Sequence, residues 1–165
     1  MTSKFNFFIF LLQFLVLTGC AAESTLCEKS EVQVVNCVIE RDKNILSICA
    51  SGVSQKEDYV EYRYGKKRAI ELRYRADAVS DKRIFRGTFK TASNDVKLFW
   101  FSSEKYIYRF QIPGTGVSRL GVLKGDAILA EKKCTSNADE NSDLESKFIS
   151  EAPTEEIDRI MLLGR

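Results

Sequence analysis

The chain has 165 residues, with 25 Lys and Arg against 23 Asp and Glu, a formal net charge of +2 and no histidine. The lack of an imidazole excludes Ser-His-Asp and Cys-His catalytic arrangements and the usual catalytic zinc sites. We therefore predict a protein that is not an enzyme and that uses no cofactor and no metal.

The first 20 residues have the pattern of an export signal. Lys4 precedes an apolar stretch over 5–17, which is shorter than the roughly 20 apolar residues that a spanning helix needs. The run Leu17-Thr18-Gly19-Cys20 that ends this stretch resembles the lipobox of bacterial lipoproteins. The resemblance implies that the signal peptide, residues 1–19, is removed and that Cys20 becomes the acylated first residue of a lipid-anchored protein.

A lipid-anchored protein of this kind belongs to the bacterial cell envelope. The resemblance implies attachment to the outer membrane facing the periplasm, through acyl chains such as palmitate, because several chains hold a protein stably on a membrane. The alternative is an ordinary signal peptide that is cut after Ala22, with Cys20 discarded and the protein soluble in the periplasm or secreted.

The remaining cysteines form an even set, which in an oxidising compartment predicts two disulfides with three possible pairings. We favour a Cys37–Cys49 bridge nested inside a Cys27–Cys134 bridge. A hairpin of residues 33–40 and 45–50 whose loop spans 41–45 would place Cys37 opposite Cys49. The four cysteines are Cys27, Cys37, Cys49 and Cys134.

Residues 20–31 are predicted to be a polar tether, and residues 32–134 a disulfide-stapled, all-β domain. Short alternating segments separated by turn residues favour an antiparallel meander of about eight or nine strands that forms a barrel or a sandwich. The predicted strands are 32–40, 45–50, 58–64, 69–75, 84–90, 96–101, 106–112, 117–123 and 127–133.

The hairpin over 58–75 alternates most clearly, with apolar residues on one face and charged residues on the other. A loop of residues 65–69 would pair Glu61 with Arg73 and Arg63 with Glu71. Opposite charges across strands favour that register by roughly 0.2–1 kcal/mol per pair. The apolar face contains Val60, Tyr62, Tyr64, Ile70, Leu72 and Tyr74.

Residues 135–165 carry three Lys and Arg against eight Asp and Glu, so an acidic tail follows a basic body. We predict a linker over 135–143 and one or two short helices after it. The run Ser142-Asp143-Leu144-Glu145 matches a helix capping box, and Ile157 and Ile160 have helical spacing. The tail either docks on the sheet or stays mobile, and it could neutralise the basic body.

Two features could carry binding. A basic cluster would attract lipid headgroups, lipopolysaccharide phosphates or an acidic protein surface, unless it is only a solvated sheet face. Nucleic acid is not an expected partner of an exported protein. The candidate patch contains Arg63, Lys66, Lys67, Arg68, Arg73, Arg75, Arg83 and Arg86, with Lys82 beside it.

The second feature is a hairpin dense in aromatic residues. Phe99 and Phe101 face opposite to Trp100, so a sheet with one solvated face cannot bury all of them. We favour a fold that covers both faces over one that exposes an aromatic contact patch. The remaining aromatic residues of the hairpin are Tyr106, Tyr108 and Phe110.

These observations predict a non-catalytic binding module for another macromolecule of the cell envelope. One alternative is an inhibitor or immunity protein against a secreted cell-wall hydrolase, since lysozyme-inhibitor lipoproteins are similar in size, export, disulfide use and β architecture. Their short Ser-Gly motif is poorly matched, because Ala50-Ser51-Gly52 has no tyrosine until Tyr59. Further alternatives are an envelope assembly scaffold and a histidine-free enzyme that acts on glycan or lipid.

Overall fold

A computed structural model describes residues 25–52, 58–141 and 144–164, so the predicted signal and Cys20 lie outside the described residues. The described chain forms eleven strands and one helix. The strands are β1 Glu31–Val38, β2 Ile45–Ser51, β3 Tyr59–Lys66, β4 Ala69–Asp77, β5 Ile84–Phe89, β6 Val96–Ser103, β7 Tyr106–Pro113, β8 Arg119–Lys124, β9 Ala127–Lys133, β10 Asp139–Glu140 and β11 Ile149–Glu151, and the helix is α1, Thr154–Leu162.

The strands form two sheets. Sheet 1 has the order β10-β1-β2-β3-β4, and sheet 2 has the order β11-β5-β6-β7-β8-β9. Consecutive strands from β1 to β4 and from β5 to β9 pair antiparallel, whereas β11 pairs parallel to β5. The all-β prediction and its nine strands are confirmed, and the architecture is a sandwich rather than a closed barrel.

The core lies between the two sheets and is rich in aromatic residues. The ring of Phe101 stacks on that of Tyr74, with centroids 4.0 Å apart, and on that of Tyr108 at 4.9 Å. Phe99 and Phe110 are buried in the same core cluster. Stacked and edge-on aromatic pairs stabilise a core beyond the area that they bury.

The opposite face of sheet 2 is covered by α1. Trp100 is buried there with Ile157 and Ile160 of the helix, so both faces of the aromatic hairpin are covered, as predicted. A Cβ at Gly87 would lie 2.4 Å from Cδ1 of Ile157, which explains why β5 has a glycine beneath the helix. Buried Arg109 donates to the carbonyl oxygens of Ile160 and Leu163, at 2.6 and 3.1 Å, at the C-terminal end of α1.

The acidic tail docks on the sandwich, and its predicted organisation is wrong in two places. Residues 135–141 are not a linker, because β10 pairs with β1 and the amide of Asn141 donates to Val34. Residues 144–148 form no helix, and Ile149–Glu151 form the strand β11. Phe148 and Ile149 are both buried in the core, and this tertiary packing outweighs the local capping signal.

Part of the predicted tether, residues 20–31, is folded onto the domain. Residues 25–30 pack against the outer face of sheet 1, where Leu26 is buried. The amide of Leu26 donates to Oγ of Ser47 at 2.9 Å, and Ser47 in turn donates to Asn36 at 2.7 Å. We call residues 25–30 the N-terminal strap. Only residues 20–24 of the predicted tether lie outside the described residues.

The four cysteines form two disulfides, but with a different pairing from the one that we favoured. Cys27 bonds to Cys49 and Cys37 bonds to Cys134. Cys37 lies opposite Leu46 in a hairpin whose register differs from the expected one. Cys37 therefore points into the core while Cys49 points to the outer face of sheet 1, and a bridge between opposite faces of one sheet cannot form.

Two disulfides indicate an oxidising, exported environment. Within the described residues, no helix combines the length and the apolar character that crossing a membrane requires.

Candidate functional site

The outer face of sheet 1 holds an ion-pair network around Arg63. In the observed register Glu61 lies opposite Arg75 and Arg63 lies opposite Arg73, so the predicted register is wrong, although Arg73 still forms an ion pair with Glu61. Lys66 pairs with Ala69, so the turn is shorter than the predicted loop of residues 65–69. A bulge at Tyr64 and Gly65, whose φ is +139°, shifts the register further.

Two carboxylates hold the Arg63 guanidinium. Arg63 is 2% exposed and donates to both oxygens of Glu31, at 2.7 and 2.6 Å, and through Nε to Glu61 at 2.5 Å. It also donates to the carbonyl oxygen of Leu26 at 2.9 Å. This bidentate geometry with further hydrogen bonds is what makes a buried guanidinium tolerable.

The network shifts the protonation of its members. Burial alone would raise the pKa of Glu31, but hydrogen bonds from Arg63 and Tyr59 outweigh burial and hold that pKa below its ordinary value. Burial would lower the pKa of Arg63, whereas its bonds to Glu31 and Glu61 raise it. Burial and the hydrogen bond to Glu31 raise the pKa of Tyr59. Arg63 and Glu31 therefore both stay charged at neutral pH.

Two other arginines of the hairpin stay at the surface. Arg73 and Arg75 donate to the buried Glu61, at 3.0 and 3.2 Å, and their side chains are 52% and 45% exposed. The Arg75 guanidinium also lies 3.8 Å from the ring centroid of Tyr59. Arg73 and Arg75 belong to β4, the last strand in the order of sheet 1. The basic residues on β4 and on the turn before it form what we call the basic strip: Lys66, Lys67, Arg68, Arg73 and Arg75.

The structure separates the predicted patch into surface and interior residues. Arg63 is buried, and Arg86 pairs with Glu151 of the tail and donates to the carbonyl oxygen of Leu144. Arg83 lies beyond the far end of β4, where it donates to backbone oxygens of Ser80 and Lys82. Among the described residues, the tail pairs with Arg86 of this patch through Glu151 and leaves Arg73 and Arg75 exposed.

One group of metal-type ligands occurs within the described residues, formed by Cys27, Glu31 and Cys49. The two sulfurs are joined in a disulfide, so neither is available as a thiolate ligand. The Glu31 carboxylate already binds Arg63. The Glu61 carboxylate is likewise occupied by arginines.

A second surface feature is the exposed edge of sheet 2 at β9; the strand itself was predicted, but its position at the edge was not. In the described part of the chain β9 pairs only with β8, and its residues Ala127–Leu129 are exposed. Ile128 and Leu129 are 38% and 55% exposed, and Leu162 of α1 is 50% exposed. The run of four apolar residues over 127–130, where a half-exposed strand would alternate, was the available signal.

Two concavities lie near β9. One has a volume of about 370 Å³, has the charged residues of 40–42 and 131–133 along its walls, and is crossed by an ion pair between Asp42 and Lys132. The other, of about 100 Å³, opens between the sheets beside Tyr62 and Tyr64. Its lining is mostly apolar, and the hydroxyl of Tyr62 is buried there without a hydrogen-bond partner within the described structure.

Comparison with protein-family models, with curated proteins and with solved structures finds no match for this chain.

Proposed function

We propose that this chain is an exported envelope lipoprotein, anchored through Cys20, that acts as a non-catalytic binding module for another macromolecule. The partner adds an extended segment to β9, the exposed edge of sheet 2. The single observation that supports this proposal is the apolar character of that edge.

An exposed edge strand presents unpaired backbone groups that another chain can use. Folded proteins usually protect such edges with charges, proline or a covering element. Here charged residues occur only at the end of β9, at Glu131, Lys132 and Lys133, while Ile128 and Leu129 stay exposed. Backbone hydrogen bonds would then supply affinity, and the apolar side chains would supply specificity.

The proposal is tested by capture from envelope extract with the mature protein and two matched variants. Leu129→Lys places a charge on the edge, whereas Val79→Lys makes the same type of change at a loop residue that is 97% exposed and distant from β9 in sequence. Wild type and Val79→Lys should retain a common partner, and Leu129→Lys should lose it. Addition of the purified partner should slow hydrogen exchange at β9 amides.

The class of partner distinguishes the versions of this function. A soluble hydrolase whose activity falls on binding would identify an inhibitor, and a membrane protein would identify an assembly scaffold. Capture that Leu129→Lys leaves unchanged would overturn the edge as the binding site. A concentration-dependent dimer that Leu129→Lys abolishes would assign the edge to a second copy of the chain instead.

A further inference from the structure

The chain enters the domain on the outer face of sheet 1, next to the basic strip. The Cys27–Cys49 disulfide and the Arg63 bond to Leu26 fix the N-terminal strap to that face. Glu61 accepts bonds from Arg63 and also from Arg73 and Arg75, so one buried carboxylate connects the strap network to the exposed guanidiniums. The point of entry and the basic strip are therefore held together rigidly.

The chain that separates Cys20 from this face is short. Five peptide steps lead from Cys20 to Thr25, the first described residue. At about 3.5 Å per residue they reach about 17 Å when fully extended. A folded domain of this size has a diameter of about 37 Å, estimated from its chain length. A lipid on Cys20 would therefore keep the entry face beside the bilayer and prevent the opposite face from reaching it.

The charge of the entry face suits an anionic surface. Besides the buried Arg63, residues 59–77, which contain the β3–β4 hairpin, have five exposed Lys and Arg against three Asp and Glu. Arg73 and Arg75 present guanidiniums that are already oriented by Glu61, so binding to phosphate costs them little side-chain entropy. Basic residues close to an anionic bilayer are attracted to it within about a Debye length.

We infer that the basic strip binds the anionic phospholipid headgroups of the same membrane that holds the Cys20 lipid. This inference rests on the lipid anchor of the proposed function. It places the outer face of sheet 1 on the bilayer. The acyl chains and the strip are then two signals for one membrane, a combination that anchors more firmly than either signal alone.

The strip is tested apart from the anchor with the chain from residue 21 onward, which contains every described strand and the helix. The probe is a vesicle of phosphatidylcholine with or without 30 mol% phosphatidylglycerol, and binding is measured by co-sedimentation. The wild type should bind the anionic vesicles and lose binding as salt rises. Arg73→Glu/Arg75→Glu should bind at least tenfold more weakly, since each basic residue contributes roughly fivefold.

Two controls keep the result interpretable. Lys66→Glu/Arg68→Glu reverses exposed charges at the β3–β4 turn and leaves the ion pairs of Glu61 intact. It should also weaken binding, so the inference can still be tested if Arg73→Glu/Arg75→Glu misfolds. Lys105→Glu/Lys124→Glu makes the same charge change at exposed turns of sheet 2 and should bind like wild type. Equal loss in all three variants, or equal binding to both vesicles, would overturn the inference.

The anchor is tested separately by mass spectrometry of the protein purified from cells. An acylated N-terminal Cys20 supports the tethered orientation. An unmodified Cys20, or a chain that begins at Glu23, would overturn both the anchor and the tethered orientation, even if the strip binds vesicles. Capture of an acidic protein that competes with anionic vesicles would assign the strip to a protein partner and overturn the lipid assignment.

Discussion

The two outer faces of the sandwich are covered by opposite kinds of chemistry. On sheet 1 the N-terminal strap is held by the Cys27–Cys49 disulfide and by the Arg63 bond to Leu26, and Arg63 itself is held by Glu31 and Glu61. On sheet 2 the helix α1 is held by apolar packing of Ile157 and Ile160 around Trp100. The outer face of sheet 1 is thus covered through charged contacts, and the outer face of sheet 2 through apolar contacts.

The two covers also treat a buried guanidinium differently. Arg63 is neutralised by carboxylates, whereas Arg109 donates to carbonyl oxygens at the end of α1. Carboxylates titrate and carbonyl oxygens do not, so the sheet 1 cover depends on pH through Glu31. Removing one partner of an ion pair leaves a buried charge, while removing a methyl group leaves only a small cavity. We therefore expect the sheet 1 cover to be the more easily broken.

The largest effect should come from the disulfides. The Cys37–Cys134 bridge closes a separation of 97 residues and Cys27–Cys49 one of 22 residues. The chain-entropy relation predicts that replacing both cysteines of a bridge by alanine lowers the free energy of unfolding. The loss is about 4.7 kcal/mol for the Cys37–Cys134 bridge and about 3.4 kcal/mol for the Cys27–Cys49 bridge. Urea unfolding under oxidising conditions measures both values. Only loss of the Cys27–Cys49 bridge should speed proteolysis within the strap. The prediction would be contradicted if loss of that bridge lowered the stability more than loss of the Cys37–Cys134 bridge.

Arg63→Met should lower the free energy of unfolding by about 4 kcal/mol, because it leaves the buried Glu31 without its cation and leaves Glu61 with only the exposed Arg73 and Arg75. The control is Arg73→Met, whose exposed side chain should contribute less than about 1 kcal/mol. Adding Glu31→Gln and Glu61→Gln to Arg63→Met should recover part of the loss. A cost below 1 kcal/mol in the single variant, measured by urea unfolding, would show that the network does not stabilise the fold.

Ile160→Ala should lower the free energy of unfolding by about 3 kcal/mol through loss of buried contacts with Trp100. Ile160 is 1% exposed, and Leu162 on the same helix is 50% exposed, which makes Leu162→Ala the matched control. The control should change stability by less than 0.5 kcal/mol. Hydrogen exchange should show faster opening of α1 and unchanged protection of β1 and β2. Equal exchange in α1 would refute apolar attachment of the helix.

The smallest effect concerns pH. The pKa of Glu31 lies below its ordinary value of 4.5 in the folded protein, so the unfolded state binds more protons near that pH. The stability that Glu31 contributes is therefore present above about pH 4.5 and is lost as pH falls through its folded pKa. Urea midpoints between pH 3 and pH 6 should fall less steeply in Glu31→Gln than in wild type. An identical slope would assign the acid sensitivity to other groups.

Local sequence signals located the strands well but placed the tail and the charges poorly. Alternation over 58–75 identified both faces of the β3–β4 hairpin, including the buried Val60 and Tyr62. The register failed because charge pairing across strands is worth less than the bulge and the strap contacts that set it. Glu71, expected opposite Arg63, accepts a hydrogen bond from Asn44 instead.

The candidate site was located only in part for the same reason. The basic residues that form the strip were identified from composition. The burial of Arg63, however, depends on a contact with Glu31, which lies 32 positions away in the chain, and Arg86 bonds to Glu151, which lies 65 positions away. Nothing in the local pattern reports such contacts. The exposed edge of β9 is also a property of strand order, which places β9 last in sheet 2.

The sequence alone determined the all-β class, the nine strands of the meander, the four cysteines that follow Cys20 and the absence of an imidazole. These properties follow from composition and from the two-residue period of a strand, which are local. Only the tertiary structure decided which cysteines bond, which arginines remain at the surface, and what covers each sheet. Those outcomes depend on register and on long-range packing, and a small shift of register moves a side chain to a different partner or a different face.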